Sequence, residues 1–265
     1  EPAAVCHLAP RRPACQHPAV AWVLDLDGVV WLGEVPIPGA ADAVARLRAG
    51  GARVLFATNN SFATVSEQEA KLARAGIPAV GDVLTSGMAA ARLVEPGERV
   101  LVVGGPGVAE AAAARGAVPL RDGDAEAVIV GFHRDFDYER LRIAARAVER
   151  GARLIATNDD ATYPTPDGPI PGGGALVAAV AYATGATPVV AGKPHGPMAD
   201  LVRAAGGPTG TVVGDRPETD GAFAVALGYR FALVLTGVTR QDDLPVEPAP
   251  ALVADSLATL VPAAQ

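Results

Sequence analysis

The sequence predicts an α/β fold built on a parallel sheet, and three observations carry that prediction. From Ala21 onward short β-rich runs alternate with alanine-rich helical stretches, half of the 265 residues are apolar, and the most polar short motifs follow directly on apolar runs. Alternating strand and helix signals mark a parallel sheet covered by helices. Charged residues make up 19% of the chain, against roughly 25% in an average soluble protein, which excludes the disordered and fibrous classes. The length exceeds that of one ordinary domain and falls short of three.

Eight runs read as strands: residues 22–26, 53–58, 83–86, 99–103, 127–131, 153–157, 211–214 and 231–235. Between the second and third, Thr64 precedes Glu67 at capping-box spacing, Val65, Leu72 and Ala73 are expected to share one helical face, and Gly76 with Pro78 ends the helix. Eight strands are too many for one small domain. No internal repeat and no Ser- or Pro-rich linker divides the chain, so a second domain is expected as an insertion within the first.

Charge and hydropathy narrow the partners. With 22 basic and 29 acidic residues the net charge is −7, and such a surface repels the phosphate backbone of nucleic acids. The longest apolar run, residues 174–183, is well short of the roughly 18 residues that cross a bilayer. Residues 1–19 hold Arg11 and Arg12 without a following apolar region and are expected to be a flexible tail, with a cytoplasmic location. Cys6, His7, Cys15 and His17 lie in that stretch, but their spacing does not match the paired cysteines of zinc sites.

The informative residues sit at strand ends. In Val23-Leu24-Asp25-Leu26-Asp27-Gly28 an apolar run leads into two carboxylates at i and i+2, which an extended chain points to one side. Glycine then permits a sharp turn, and the carboxyl ends of parallel strands are where open α/β sheets bind ligands. Two such acids suit chemistry in which one carboxylate attacks while the other gives a proton to a leaving group. A bare Asp-x-Asp-Gly is equally a polar loop with capping aspartates, so the pattern needs support. Three later motifs supply it: Thr58-Asn59-Asn60-Ser61, Gly192-Lys193-Pro194, and Gly214-Asp215-Arg216 followed by Thr219-Asp220.

Four motifs in this order resemble the haloacid dehalogenase (HAD) superfamily of phosphatases, in the branch of the NagD-like, 4-nitrophenyl-, phosphoglycolate, pyridoxal phosphate and glycerol 3-phosphate phosphatases. The resemblance covers about residues 21–260. It implies a Rossmann-like parallel-sheet core in residues 20–87 and 190–265, with an inserted α/β cap domain in residues 88–189. It implies that Asp25 is the nucleophile that becomes phosphorylated, Asp27 the acid/base, and Lys193 a fixed positive charge at the transferring group. Leu26, Asp27, Thr58, Asn59 and Lys193 are the implied phosphate-binding residues. Mg²⁺ is implied as cofactor, held by the Asp25 side chain, the Asp27 carbonyl and Asp215, and oxygen-only ligands suit that hard ion. Asp220 is expected to orient Lys193 or a metal-bound water, although an acid at a helix N-terminus reads the same way.

Within the expected cap, Gly104-Gly105-Pro106-Gly107 imitates a dinucleotide fingerprint, but Glu110 stands where the third glycine belongs. Thr157-Asn158-Asp159-Asp160 followed by Pro171-Gly172-Gly173-Gly174 resembles the family's cap pattern, which makes Asn158 and Asp160 the candidate specificity residues. His133 occupies a place where related sequences often carry Asp. His195, beside Lys193, reads as a solvent-facing loop histidine that could also touch substrate.

Three activities compete on the sequence. A Mg²⁺-dependent phosphomonoesterase acting on a small phosphorylated metabolite leads, because the dehalogenases of the superfamily lack the second aspartate that Asp27 supplies. A phosphotransferase or mutase would use the same aspartyl-phosphate. A catalytically silent binding module is the third, opposed by the intact Asp25, Asp27, Lys193 and Asp215. The family also makes a homodimer an expectation.

Overall fold

The computed structural model describes residues 20–163 and 168–263, so the Cys6, His7, Cys15 and His17 group and the expected tail lie outside the described residues. The chain runs β1 (Ala21–Leu24), the short strands β2 (Trp31–Leu32) and β3 (Val35–Pro36), α1 (Ala40–Ala49), β4 (Arg53–Thr58), α2 (Val65–Arg74), β5 (Val83–Thr85) and α3 (Ser86–Ala91). It continues through β6 (Arg99–Val103), α4 (Pro106–Ala114), β7 (Val118–Leu120), β8 (Ala127–Val130), α5 (Tyr138–Glu149), β9 (Arg153–Ala156), β10 (Thr162–Tyr163), β11 (Ile170–Pro171), α6 (Gly173–Thr184) and β12 (Val189–Val190). The last part holds α7 (Gly196–Gly206), β13 (Gly210–Gly214), α8 (Ala222–Leu227), β14 (Arg230–Val234), β15 (Leu252–Ala254) and α9 (Leu257–Leu260).

Two sheets organise these elements. The first has six strands in the order β15-β14-β13-β1-β4-β5, and the second has five in the order β12-β9-β8-β6-β7, every pairing parallel. All eight expected strands are present, the first ending at Leu24 rather than Leu26. The second sheet is drawn from residues 99–190 alone, and Val189 and Val190 pair with β9, so its last strand straddles the 189/190 border expected between core and insertion.

Both faces of β1, β4, β5, β13 and β14 are largely buried, which is why these strands read as continuous apolar runs. Side chains alternate along β1 and β4: Val23 and Leu55 enter one apolar cluster while Leu24 and Phe56 enter the other. The cluster holding Val23 continues through Ala89, Val108 and Met198 to Val100, Ile129 and Ile155 of the second sheet, so α3, α4 and α7 are packed between the sheets. A third cluster fills the far face of the second sheet beneath α5 and α6.

Local signals hold with one correction. The capping box closes α2, with Glu67 N–H donating to Thr64 Oγ1 at 3.2 Å and Thr64 N–H to Glu67 Oε2 at 2.8 Å. The inward face of α2 runs through Gln68 and Leu72, however, and Ala73 is exposed. Ala73 stands one residue past Leu72, about 100° around the helix, which carries it off the buried stripe.

Candidate active site

Asp25 sits just past the end of β1, in the middle of the six-stranded sheet. Its N–H donates to the Val213 carbonyl at 2.9 Å, continuing the ladder and fixing where its side chain emerges. Asp25 and Asp27 both line one cavity of about 560 Å³. Their partners differ: Lys193 Nζ donates to Asp25 Oδ1 at 2.7 Å, while Trp31 Nε1 donates to Asp27 Oδ1 at 3.1 Å. The Trp31 indole is buried and Lys71 Nζ lies 4.4 Å from its ring centroid.

Lys193 is 3% exposed and bridges two acids, donating to Asp220 Oδ1 at 2.7 Å as well as to Asp25. Burial opposes its charge, but Asp220 and Asp25 outweigh that cost and hold the ammonium above its ordinary pKa. Asp220 has both oxygens engaged, since Oδ2 accepts from the Arg216 N–H at 3.2 Å. Burial pushes the Asp25 carboxyl well up, Lys193 opposes it, and Asp220 and Asp215 reinforce it. Burial also raises Asp27, against the pull of Lys71.

Asp215, just past β13, forms no ion pair among the described residues. Oδ2 accepts from the Val238 N–H at 2.6 Å, and burial followed by the charge of Asp220 pushes the carboxyl up to about 6. Glycines flank it closely: a Cβ at Gly28, whose φ is +83°, would stand 2.4 Å from Asp215 Cγ, and one at Gly237 would stand 1.9 Å from Oδ2. Asp25, Asp215 and Asp220 bring carboxylate oxygens within 4.8 Å of one another. The Asp27 carboxylate is not part of that trio and accepts instead from Trp31 Nε1.

The polar residues after β4 do something the sequence did not suggest. Asn59 Oδ1 accepts from the Lys193 N–H at 2.8 Å, and Nδ2 donates to the Lys193 carbonyl and to Asp160 Oδ2, each at 3.0 Å. Its carbonyl accepts from Asn158 Nδ2 at 2.8 Å and from Ser86 Oγ at 2.7 Å. The Asn59 amide thus joins the two sheets and Lys193, and Asn59, an implied phosphate-binding residue, stands in the cavity lining. Asn158, a candidate specificity residue, also lines the cavity, and besides the bond to Asn59 its Oδ1 accepts from the Asp160 N–H at 3.2 Å. Thr58 is 3% exposed and outside the cavity lining, its Oγ1 accepting from the Asn60 N–H at 3.1 Å. The Leu26 side chain is core, which leaves any contact with an anion to its main chain.

Asp160 keeps one oxygen, Oδ1, without a partner among the described residues, and it lines the cavity with burial raising its carboxyl. Phe132 and Tyr163 form an aromatic wall of the same cavity, their rings stacked at 5.4 Å. His195 lies outside the lining, with Nε2 at 2.9 Å from Asp159 Oδ2.

A model of the haloacid dehalogenase-like hydrolases matches residues 22–118, and a HAD-hydrolase-like model matches residues 190–260. The acid sugar phosphatase of Staphylococcus saprophyticus is 34% identical over 241 residues, spanning 87% of this chain and 92% of that protein. The chain belongs to the haloacid dehalogenase-like hydrolases. The D-glycerol 3-phosphate phosphatase of Mycobacterium tuberculosis is 40% identical over 229 residues, 83% of this chain, and the chain spans 64% of that relative's length. The crystal structure of glycerol phosphate phosphatase from the same organism in complex with magnesium superposes with a TM-score of 0.84 at 37% identity, covering 92% of this chain and 77% of that one.

In this haloacid dehalogenase-like hydrolase, sequence reasoning missed Trp31, Phe132, Tyr163 and Arg240, all but Trp31 in the cavity lining. Trp31 had one legible signal: it stands four residues after Asp27, in the turn that Gly28 opens. The aromatic wall had none, because Phe132 and Tyr163 meet only once β8 and β10 are in place. Among the described residues, no helix is long and apolar enough to cross a membrane.

Proposed function

We propose that this hydrolase is a Mg²⁺-dependent phosphomonoesterase that cleaves a small phosphorylated metabolite through an aspartyl-phosphate on Asp25. The observation that carries the reading is the Asp25–Lys193–Asp220 chain of 2.7 Å contacts beside Asp27 in one cavity. A carboxylate approaching a phosphoryl dianion is strongly repelled unless cations screen it. Lys193 is one such cation, and Asp220 fixes where its charge sits.

The residues fit a small divalent cation. Asp25 and Asp215 offer carboxylate oxygens within 4.8 Å of one another, and burial followed by the charge of Asp220 pushes the Asp215 carboxyl up to about 6, a crowding of acids that a cation relieves. Asp25, Asp215 and the Asp27 carbonyl would hold the ion, which supplies neutralisation of the phosphoryl oxygens. The magnesium complex of the mycobacterial relative supports this choice.

In the first step an Asp25 carboxylate oxygen forms a bond to phosphorus as the ester P–O bond breaks, and Asp27 gives its proton to the departing oxygen. Burial, which raises the Asp27 pKa, keeps that proton available. In the second step Asp27 takes a proton from water as its oxygen attacks phosphorus, releasing inorganic phosphate and the Asp25 carboxylate. Trp31 acts as a positioning residue for Asp27. With the Asn59 amide committed elsewhere, phosphoryl contact at that position falls to its main-chain N–H.

Residues 20–87 and 190–265 serve as the catalytic body and 88–189 as the cap, which delivers Phe132 and Asp160 to the cavity. The leaving group is read between the Phe132–Tyr163 wall and Asp160 Oδ1, a combination suited to a small hydroxylated or aryl group. The test is phosphate release from a panel of sugar, glycerol, glycolate, nucleotide and aryl phosphates. Release with Mg²⁺, silenced by EDTA and restored by Mg²⁺, is expected. Full activity after exhaustive chelation overturns the metal assignment, and no release from any ester overturns the phosphatase.

A further inference from the structure

A second cavity, of about 260 Å³, opens on the carboxyl edge of the five-stranded sheet and shares no lining residue with the first. It lies where the connections of that sheet part. β6 has β7 on one side and β8 on the other, so the chain leaves β6 towards one edge and after β7 crosses back. Gly104 and Gly105 follow β6, His133 and Asp135 follow β8, and these two diverging loops line the crevice. Such switch points are where open parallel sheets take ligands.

The crevice holds groups that nothing else in the protein uses. His133 is 9% exposed, and its Nε2 is the only buried side-chain nitrogen or oxygen without a hydrogen-bond partner among the described residues. Buried polar atoms are almost always paired, so this nitrogen has room for a bond from a ligand or a water. Arg121 and Arg140 line the same space, and neither forms an ion pair among the described residues. Arg140 Nη1 donates to the Arg121 carbonyl at 2.8 Å, which sets the Arg140 guanidinium beside the Arg121 main chain.

The ligand's chemistry follows from what the crevice offers and lacks. A dinucleotide is excluded: Pro106 opens α4 without an N–H, the Gly107 N–H already donates to the Phe62 carbonyl at 2.9 Å, and Glu110 replaces the third glycine. Two guanidiniums recognise a single oxyanion through charge-assisted hydrogen bonds. Phe62, Val102 and Leu120 give the remaining wall an apolar character. We propose that this crevice is a second ligand site, separate from the reaction centre, for a small carboxylate or phosphate anion with a short apolar body.

Benzoate and phenylphosphonate distinguish the two head groups, and neither has an ester bond to hydrolyse. Each is titrated into the full chain with Mg²⁺ while the His133 ring signals are followed by NMR, assigned through His133→Gln. A saturable shift with at least one probe, weakened tenfold or more in both Arg121→Gln and Arg140→Gln, is expected, and the probe that acts names the head group. The Phe62 ring meets Phe132 of the first cavity at 6.2 Å, so a shift alone does not separate the sites and the arginine variants do. Both variants should keep kcat/KM for 4-nitrophenyl phosphate within twofold. No saturable shift with either probe, or a shift unchanged in both variants, overturns the site. A large loss of turnover in both variants overturns its separation from the reaction centre.

Discussion

At the carboxyl edge of the six-stranded sheet, buried acids crowd around one lysine, and each charged contact is short and fixed: Asp25 and Asp220 both lie 2.7 Å from Lys193 Nζ. At the same edge of the five-stranded sheet the side chains entering the main cavity are Phe132, Asn158 and Asp160, with no buried ion pair among them. The difference separates two demands. A group that must stabilise charge at one atom needs partners that cannot relax, whereas a surface that sorts leaving groups needs shape and one or two polar contacts.

The sharpest way to break this division is to change each edge and compare esters. Asp25→Asn and Lys193→Ala should each lower kcat/KM by about 10³-fold or more, by a similar factor for every ester in a panel. A variant retaining above a tenth of the activity would remove that residue from the reaction. Trp31→Phe should separate esters by leaving group, costing on the order of tenfold for an alkyl phosphate and little for 4-nitrophenyl phosphate, whose leaving group needs no proton. An equal loss on both would make Trp31 a packing residue only. Asp160→Ala should change the ranking of esters by a few-fold and spare 4-nitrophenyl phosphate. One common factor across the panel would return Asp160 to the reaction.

The smallest effect concerns stability. Burial lowers the pKa of His133 from the ordinary 6.5, Arg140 and Arg121 act the same way, and Asp135 and Asp137 oppose them. The unfolded chain therefore binds this proton first, and stability is lost as the pH falls below about 6.5. In His133→Gln the fall in Tm between pH 7.5 and 5.5 should be shallower than in the unaltered protein. An identical fall would clear His133 of the effect.

The legible features were those written locally. Each strand-end motif stands beside its own apolar run, so Asp25, Lys193 and Asp215 were found from neighbours in sequence. The two-residue strands Trp31–Leu32 and Val35–Pro36 show no period to read, and Leu252–Ala254 is a short, mostly exposed edge strand. The work of Asn59 was hidden for another reason: its partners lie 101 and 134 residues away, at Asp160 and Lys193. The family resemblance implied phosphate binding there, and only long-range geometry shows its amide paired with Lys193 and Asp160.

The parentage of the two sheets has a consequence for a chain still on the ribosome. The five-stranded sheet comes from one continuous stretch, residues 99–190, whereas β1 needs β13 as a neighbour, pairing Ala21 with Gly210. Domains fold as units while synthesis proceeds, and distant pairings wait for their partners. Asp25 and Asp27 emerge first, yet Lys193, Asp215 and Asp220 emerge after the whole second sheet. The five-stranded layer can thus be complete while the lysine and the acids around it are still apart, and the Asp25–Lys193–Asp220 contacts wait until β13 closes on β1.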